Sequence, residues 1–238
     1  MAYQYYDCRI TKITDETEHV KRFYIEKPRE IPFEFKAGQF IMLDLPISSK
    51  VTNRSYSIAS PPGPEESFEL VISRNPVGVG TTYLFNEAKE GTILKVSRTL
   101  GKFVLPDSLD RDTCFLCTGT GIAPFRAQLY DIFNRSIPHQ KLYMVFGNRW
   151  TKDILYREEF EKLAQSHPEF NFIPVLSRDN PEWIGRKGYV HAVYEEIFAD
   201  KRPAYFYLCG WADMLKEARQ RLEGMGYDKK DIRFELYD

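Results

Sequence analysis

The rhythm of the chain changes near residue 107, and that change constrains the fold more than any single motif. Before it, short runs rich in Val, Ile, Phe and Tyr follow one another at 5–13, 20–25, 38–45, 54–59, 68–73 and 92–96, separated by Gly, Pro, Asn and charged turns. Only 81–89 reads as helical in this half. Six short strands at this spacing predict an antiparallel barrel or sandwich over residues 1–107. After Pro106-Asp107-Ser108, strand-like runs alternate with helical ones. The pairs are 113–117 with 123–134, 142–146 with 154–165, 172–176 with 190–198, and 205–209 with 213–225, before a closing strand at 232–237. That alternation predicts a Rossmann-like, five-stranded parallel α/β domain over 108–238, with helices on both faces. At 43% hydrophobic residues, each half is able to bury its own core.

Charge and hydropathy remove several function classes. The 33 basic and 34 acidic residues nearly cancel, to a formal charge of -1, which argues against nucleic acid or an anionic membrane as the main partner. No window approaches the roughly 18 apolar residues of a membrane helix. The first ten residues lack the basic-then-apolar order of a signal peptide, so a cytoplasmic location is expected. Cys114 and Cys117 have the spacing of a redox or zinc pair, but no second pair completes a metal site. On a strand, residues three apart face opposite ways, so these two thiols are expected to diverge.

Four segments carry chemistry. Thr118-Gly119-Thr120-Gly121-Ile122-Ala123-Pro124 sits where the first strand of the second half runs into a helix. Glycines there admit a phosphate to the backbone, the helix start offers unpaired N–H groups, and Pro124 suits a first helical turn. Cys209-Gly210-Trp211-Ala212-Asp213-Met214 repeats that arrangement after the fourth strand. An isolated Cys such as Cys209 is more often a small packing residue than a reactive one. In the first half, Arg54-Ser55-Tyr56-Ser57 combines a fixed cation, an aromatic face and two hydroxyls, suited to a phosphate, a planar ring and a ring nitrogen. A polar edge strand with a half-buried Tyr would read the same way. Gly78-Val79-Gly80-Thr81-Thr82, before a short helix, is a second candidate anion site or an ordinary surface turn.

Together, and in this order, these segments resemble the ferredoxin–NADP reductase superfamily over essentially the whole chain. The resemblance implies an FAD-binding β-barrel followed by an NAD(P)-binding domain. It implies that Arg54 meets the flavin pyrophosphate, Tyr56 stacks on the isoalloxazine, Ser57 hydrogen-bonds near its N5, and Ser55, Gly78, Gly80, Thr81 and Thr82 complete the FAD site. Leu100-Gly101-Lys102-Phe103-Val104-Leu105-Pro106 is similar to the segment that closes the flavin domain, with Leu100 where Pro is common. Thr120, Gly121, Pro124, Gly210 and Met214 are expected at the nucleotide, and Cys209 beside the nicotinamide. Glu235 and Tyr237 resemble the acid and aromatic that flank the flavin, although Asp238 follows the Tyr here. Ser57, Cys209, Glu235 and Tyr237 are the residues expected at the reacting rings.

Hydride transfer needs nicotinamide C4 within roughly 3–3.5 Å of flavin N5. Ser177, Arg178, Lys187 and Tyr189 match the spacing with which plant-type members hold a 2′-phosphate and stack adenine, and Arg149 is expected at the same pocket. NADPH is therefore the expected donor and NADH the alternative. The acceptor implied is a ferredoxin or flavodoxin taking single electrons. The alternatives are an NADH-dependent flavin reductase or oxygenase reductase component, and a non-catalytic subunit that keeps the fold to bind a partner.

Overall fold

The computed structural model describes residues 4–178 and 181–237, so Asp238 lies outside it. The chain forms two compact units, one running to Val104 and including Ala123–Arg135, the other comprising Leu105–Ile122 and the chain from Ser136.

The first unit holds β1 (Tyr5–Thr17), β2 (Val20–Glu26), β3 (Phe40–Asp44), β4 (Asn53–Ser57), β5 (Ser67–Ser73) and β6 (Ile93–Ser97). They form one antiparallel sheet in the order β4-β3-β6-β1-β2-β5. A bridge between Ile58 and Leu70 joins the two ends, with the Ala59 N–H donating to the Glu69 carbonyl at 2.8 Å. This is the six-stranded antiparallel barrel expected. In β1, Tyr6, Cys8 and Ile10 point inward and Asp7 and Arg9 outward, the period of two that a one-sided core imposes. Residues 5–9 of β1 pair with β6 and residues 10–17 with β2, the strand changing partner near the register shift at Ile10–Lys12.

Two helices belong to this unit: α1 (Val79–Asn86) and α2 (Ala123–Asn134). The alternating pattern assigns α2 to the α/β half, yet it is tied to the barrel. Gln128 Nε2 donates to the Phe103 carbonyl at 2.7 Å, and the Phe125 and Phe103 rings lie 5.7 Å apart. Arg126 donates to the Ala59 carbonyl at 2.9 Å and sits 3.4 Å from the Glu69 carboxylate. Glu69, only 3% exposed, also receives Arg22 Nε at 2.7 Å. A buried carboxylate between two guanidiniums is tolerable only while both remain.

The second unit holds β7 (Asp112–Thr118), β8 (Leu142–Asn148), β9 (Phe170–Leu176), β10 (Arg186–Lys187), β11 (Ala204–Gly210) and β12 (Ile232–Leu236). The sheet is wholly parallel, in the order β10-β9-β8-β7-β11-β12. Six strands replace the five expected. The addition, β10, is two exposed charged residues paired beside the end of β9, too short and polar to show an apolar signature. Helices α4 (Val190–Ile197) and α5 (Ala212–Met225) pack on the face carrying Cys114, Leu116, Val145, Phe206 and Leu208. Helix α3 (Arg157–Ser166) packs its Phe160 on Phe170 and Phe172, which alternate with Ile173 and Val175 and so face the other way. It starts three residues later than its sequence pattern predicts, because Tyr156 turns left-handed at φ 53° and Ile154–Tyr156 are buried ahead of it. No described helix is long and apolar enough to cross a membrane.

A polar cluster joins α4 to α5. His191, buried, lies 3.3 Å from Glu217 through Nε2 and 3.2 Å from the Tyr194 hydroxyl through Nδ1. Neutral imidazole protonated on Nε2 satisfies both contacts, donating to Glu217 and accepting from Tyr194. Arg221 binds Glu217 at 2.7 Å and Glu195 at 3.0 Å. Burial lowers the His191 pKa below its ordinary value, reinforced by Arg221 and opposed by Glu217 and Glu195.

Two measurements follow from these buried charges. Glu69→Gln, which leaves Arg22 and Arg126 facing a neutral amide, should cost about 3 kcal/mol in denaturant unfolding with an unchanged m-value; a loss under ~1 kcal/mol would mean the carboxylate does not hold α2. For His191, the unfolded chain takes up a proton near pH 6.5 that the folded chain takes up only at lower pH. Its contribution is therefore intact above about 6.5 and is lost as pH falls through the depressed folded value. The Glu217 pKa is lowered too, first by its Arg221 hydrogen bond and then by His191, so it matters only at more acidic pH. Between pH 7 and 5 the wild-type melting temperature should fall more steeply than that of His191→Gln, and parallel slopes would contradict this.

Candidate active site

In the parallel sheet, successive strands step outward from β7 to β10, and the chain then returns to the far side of β7 with β11 and β12. The order reverses between β7 and β11, and open α/β sheets bind ligands at the carboxyl ends of the strands at such a point. Both glycine-bearing loops lie there. Gly119 has φ +53°, with open space where a side chain would stand, and is exposed. Gly121 serves another purpose than the approach to phosphate that its place in the loop suggests. A Cβ there would strike the Cys209 carbonyl and come within 2.7 Å of Gly210 N, so Gly121 lets the turn after β7 close on the end of β11. Gly210, at φ +134°, presses equally closely on Thr118, whose Oγ1 accepts the Trp211 N–H at 3.1 Å. Pro124 and Met214 are buried, Met214 within the core under α5, while Thr120 is half-buried.

Cys209, Glu235 and Tyr237 come together at the ends of β11 and β12. Glu235 pairs in register with Cys209, and the Tyr237 side chain hydrogen-bonds to the thiol. Burial, with Glu235 and Cys117 adding to it, pushes the Cys209 thiol far above its ordinary value despite the Tyr237 bond. A fully buried, protonated thiol is a packing group rather than a nucleophile. Cys114 and Cys117 do face opposite sides of the sheet, and all four cysteines are free and buried.

The residues expected at a 2′-phosphate gather at the ends of β8, β9 and β10. The Arg178 N–H donates to the Arg149 carbonyl at 3.2 Å, joining the loops after β9 and β8, and Lys187 pairs beside Leu176. Tyr189, 73% exposed, caps α4 just beyond. Neither Arg178 nor Lys187 has a side-chain partner among the described residues, and both are exposed. Other arginines of this unit are paired, as Arg186 is with Glu196 at 2.7 Å and Arg202 with Asp112 at 2.8 Å. Ser177 is diverted, its hydroxyl donating to the Asn148 carbonyl at 3.2 Å.

In the barrel unit, Arg54 and Tyr56 lie on one face of β4, opposite Leu43 and Ile41 of β3. β4 pairs with β3, and the chain meets β5 through the Ile58–Leu70 bridge just beyond β4. Arg54 Nη1 donates to the carbonyls of Val51 and Asn53, each at 2.8 Å, leaving Nε and Nη2 for a ligand. Gly80, in the first turn of α1, lies against that side chain, and a Cβ there would meet Arg54 Nε and Leu45 at 3.2 Å. The N-cap Gly78 brings no side-chain cap to the first-turn N–H groups, and Gly80 sets that turn beside the guanidinium. A cation, bare helix N–H groups and a glycine kept small between them fit a pyrophosphate. Thr81 is drawn inward instead, its Oγ1 accepting from the Asn75 N–H and donating to the Asn75 carbonyl, both at 3.0 Å. Thr82 is half-buried, Ser55 exposed and Ser57 buried. Burial pushes the Tyr56 phenol up to about 12 against the pull of Arg54, so it stays neutral. Two features escaped the sequence reading: Glu69 and Arg126, which hold α2, and the exposed Trp211, whose signal was a large aromatic directly after a loop glycine.

Known proteins match both units. The oxidoreductase FAD-binding domain family matches residues 7–105, and the oxidoreductase NAD-binding domain family matches 115–220. Ferredoxin–NADP reductase B of Sorangium cellulosum is 31% identical over 98% of this chain and 98% of its own length. The phenol hydroxylase P5 protein of Acinetobacter pittii is 29% identical over 98% of this chain, which spans 66% of that relative. A glycine betaine monooxygenase reductase subunit of Pseudomonas aeruginosa is 31% identical over 92% of this chain, covering 61% of its own length. The cytochrome P450 reductase GcoB of Amycolatopsis superposes with a TM-score of 0.87 at 26% identity, over 99% of this chain and 71% of that one. A ferredoxin NADP+ reductase from Neisseria gonorrhoeae, with bound FAD and NADP, shares the fold at a TM-score of 0.82 and 22% identity, over 99% of each chain. With the profiles of both domains, and a relative matched along its whole length, the chain belongs to the ferredoxin–NADP reductase family, as an oxidoreductase built from an FAD-binding and an NAD-binding domain.

Proposed function

We propose that this protein takes reducing equivalents from NADPH into FAD and passes them singly to a separate ferredoxin or flavodoxin. The observation that carries the choice of NADPH is the pair of exposed cations, Arg178 and Lys187, which have no side-chain partner among the described residues and stand at neighbouring strand ends beside the exposed Tyr189. A 2′-phosphate supplies the charge those cations lack, and Tyr189 offers a face for adenine. Bound FAD accepts a hydride from a reduced nicotinamide and releases the electrons one at a time, chemistry that belongs to the cofactor. The residues bind and orient. Arg54 and the first turn of α1 hold the pyrophosphate, Tyr56 presents a neutral ring to the isoalloxazine, and Ser57 offers a hydroxyl near the reacting edge. Cys209 shapes the nicotinamide pocket by packing, burial with Glu235 beside it keeps its thiol protonated, and Tyr237 hydrogen-bonds to it.

A second reading, an NADH-dependent reductase component of an oxygenase, draws support from the phenol hydroxylase and glycine betaine monooxygenase relatives. The two part on nucleotide preference. Charge-assisted hydrogen bonds of about 1.5–3 kcal/mol correspond to roughly tenfold to hundredfold in affinity. Arg178→Ala should accordingly raise the NADPH KM by at least about tenfold and leave that for NADH within about twofold; a wild type that prefers NADH, with the variant unchanged, favours the oxygenase-linked reading. At the other cradle, Arg54→Ala should weaken FAD binding by roughly tenfold to hundredfold, read as lost yellow colour on purification and a raised FAD Kd, with the fold intact by far-UV circular dichroism.

A further inference from the structure

Arg149 and Trp211 form a bridge that the 2′-phosphate site does not explain. Arg149 follows the last residue of β8, and Trp211 follows the last residue of β11. Between those strands lies β7, which ends at Thr118 and continues into the Gly119–Ile122 turn. The Arg149 guanidinium lies 5.5 Å from the Trp211 ring centroid, so the two side chains meet across the end of β7. Arg178, Lys187 and Tyr189 lie the opposite way, along β9 and β10. The Arg149 side chain therefore contacts a residue on the far side of β7 from the set with which its sequence position groups it.

Trp211 is held for this task. Its backbone N–H is bonded to Thr118 Oγ1 at 3.1 Å, and it occupies the N-cap of α5, yet the residue stays 63% exposed. An exposed arginine ordinarily loses considerable side-chain entropy when it binds. A ring beneath the guanidinium confines it beforehand, while the edge N–H groups stay free for paired oxygens. β7 runs into the Gly119 turn, where a side chain would meet open space, and Trp211 leads into the first turn of α5, which has no side-chain cap. The anionic group that crosses the switch point of such a sheet is the pyrophosphate.

We propose that Arg149 binds the pyrophosphate common to NADH and NADPH, with Trp211 as the positioning residue that aligns it across the end of β7, while discrimination between the two is left to Arg178 and Lys187. The proposal rests on the nucleotide-binding role of this unit.

The test uses the FAD-loaded enzyme titrated calorimetrically with ADP-ribose and with 2′-phospho-ADP-ribose, which lack the nicotinamide and undergo no reaction. Arg149→Ala should weaken both ligands by the same factor, about tenfold. Trp211→Ala should weaken both equally, by about threefold to tenfold, and Trp211→Phe, which keeps an aromatic face, should recover most of the loss. Arg178→Ala should weaken only the 2′-phosphorylated ligand. Flavin spectra and melting temperatures confirm that each variant is folded. Arg149→Ala acting only on the 2′-phosphorylated ligand, or on neither, overturns the proposal, as does Trp211→Phe behaving like Trp211→Ala. A wild type that binds neither ligand instead removes the nucleotide-binding role on which it rests.

Discussion

The second unit depends on how closely the turn after β7 packs on the end of β11. Parallel strands bring all their carboxyl ends to one edge, and the chain reverses its stepping direction between these two strands. That edge becomes a binding site only if the two loops can nest. Gly121 against the Cys209 carbonyl, Gly210 against Thr118, and the Trp211 N–H on Thr118 Oγ1 achieve it. Any side chain at either glycine would separate the loops that present Thr120, Trp211 and the first turn of α5.

Around that edge, charge is arranged by omission. Most arginines of the unit are matched to carboxylates, and such exposed pairs contribute little to stability. Among the described residues Arg178 and Lys187 have no side-chain partner at the proposed 2′-phosphate site, and the Arg149 guanidinium lies over an aromatic face. Cations kept in water retain their full charge for a ligand. The cysteines follow the opposite logic: burial holds Cys209, Cys117 and Cys114 protonated, so the site is shaped by sulfur without exposing a thiolate.

Much of this was legible in the linear order. Alternating Tyr6, Cys8 and Ile10 announce a strand with one buried face, and the continuous run from Thr113 to Cys117 announces a strand buried on both. Local signals were weakest where few residues decide the outcome. β10 is two charged residues whose pairing depends on the neighbouring β9, and the start of α3 depends on a left-handed Tyr156 with no glycine to mark it. Among site residues, the sequence set the glycine loops at the strand ends, where the structure has them, but not the direction of each group. Thr81 and Ser177 turn their hydroxyls onto nearby carbonyls, and Gly121 is small for the sake of packing.

The sequence by itself determined the two kinds of sheet, the order of the elements and the glycine loops at the strand ends, because periodicity and turn chemistry act over a few residues. Tertiary structure alone decided that α2 is clamped to the barrel through Glu69, that Arg149 reaches Trp211 across β7, and which cations remain unpaired. Those outcomes join residues from 57 to 62 positions apart in the chain, and no local pattern encodes a contact whose partners meet only after the strands between them have paired.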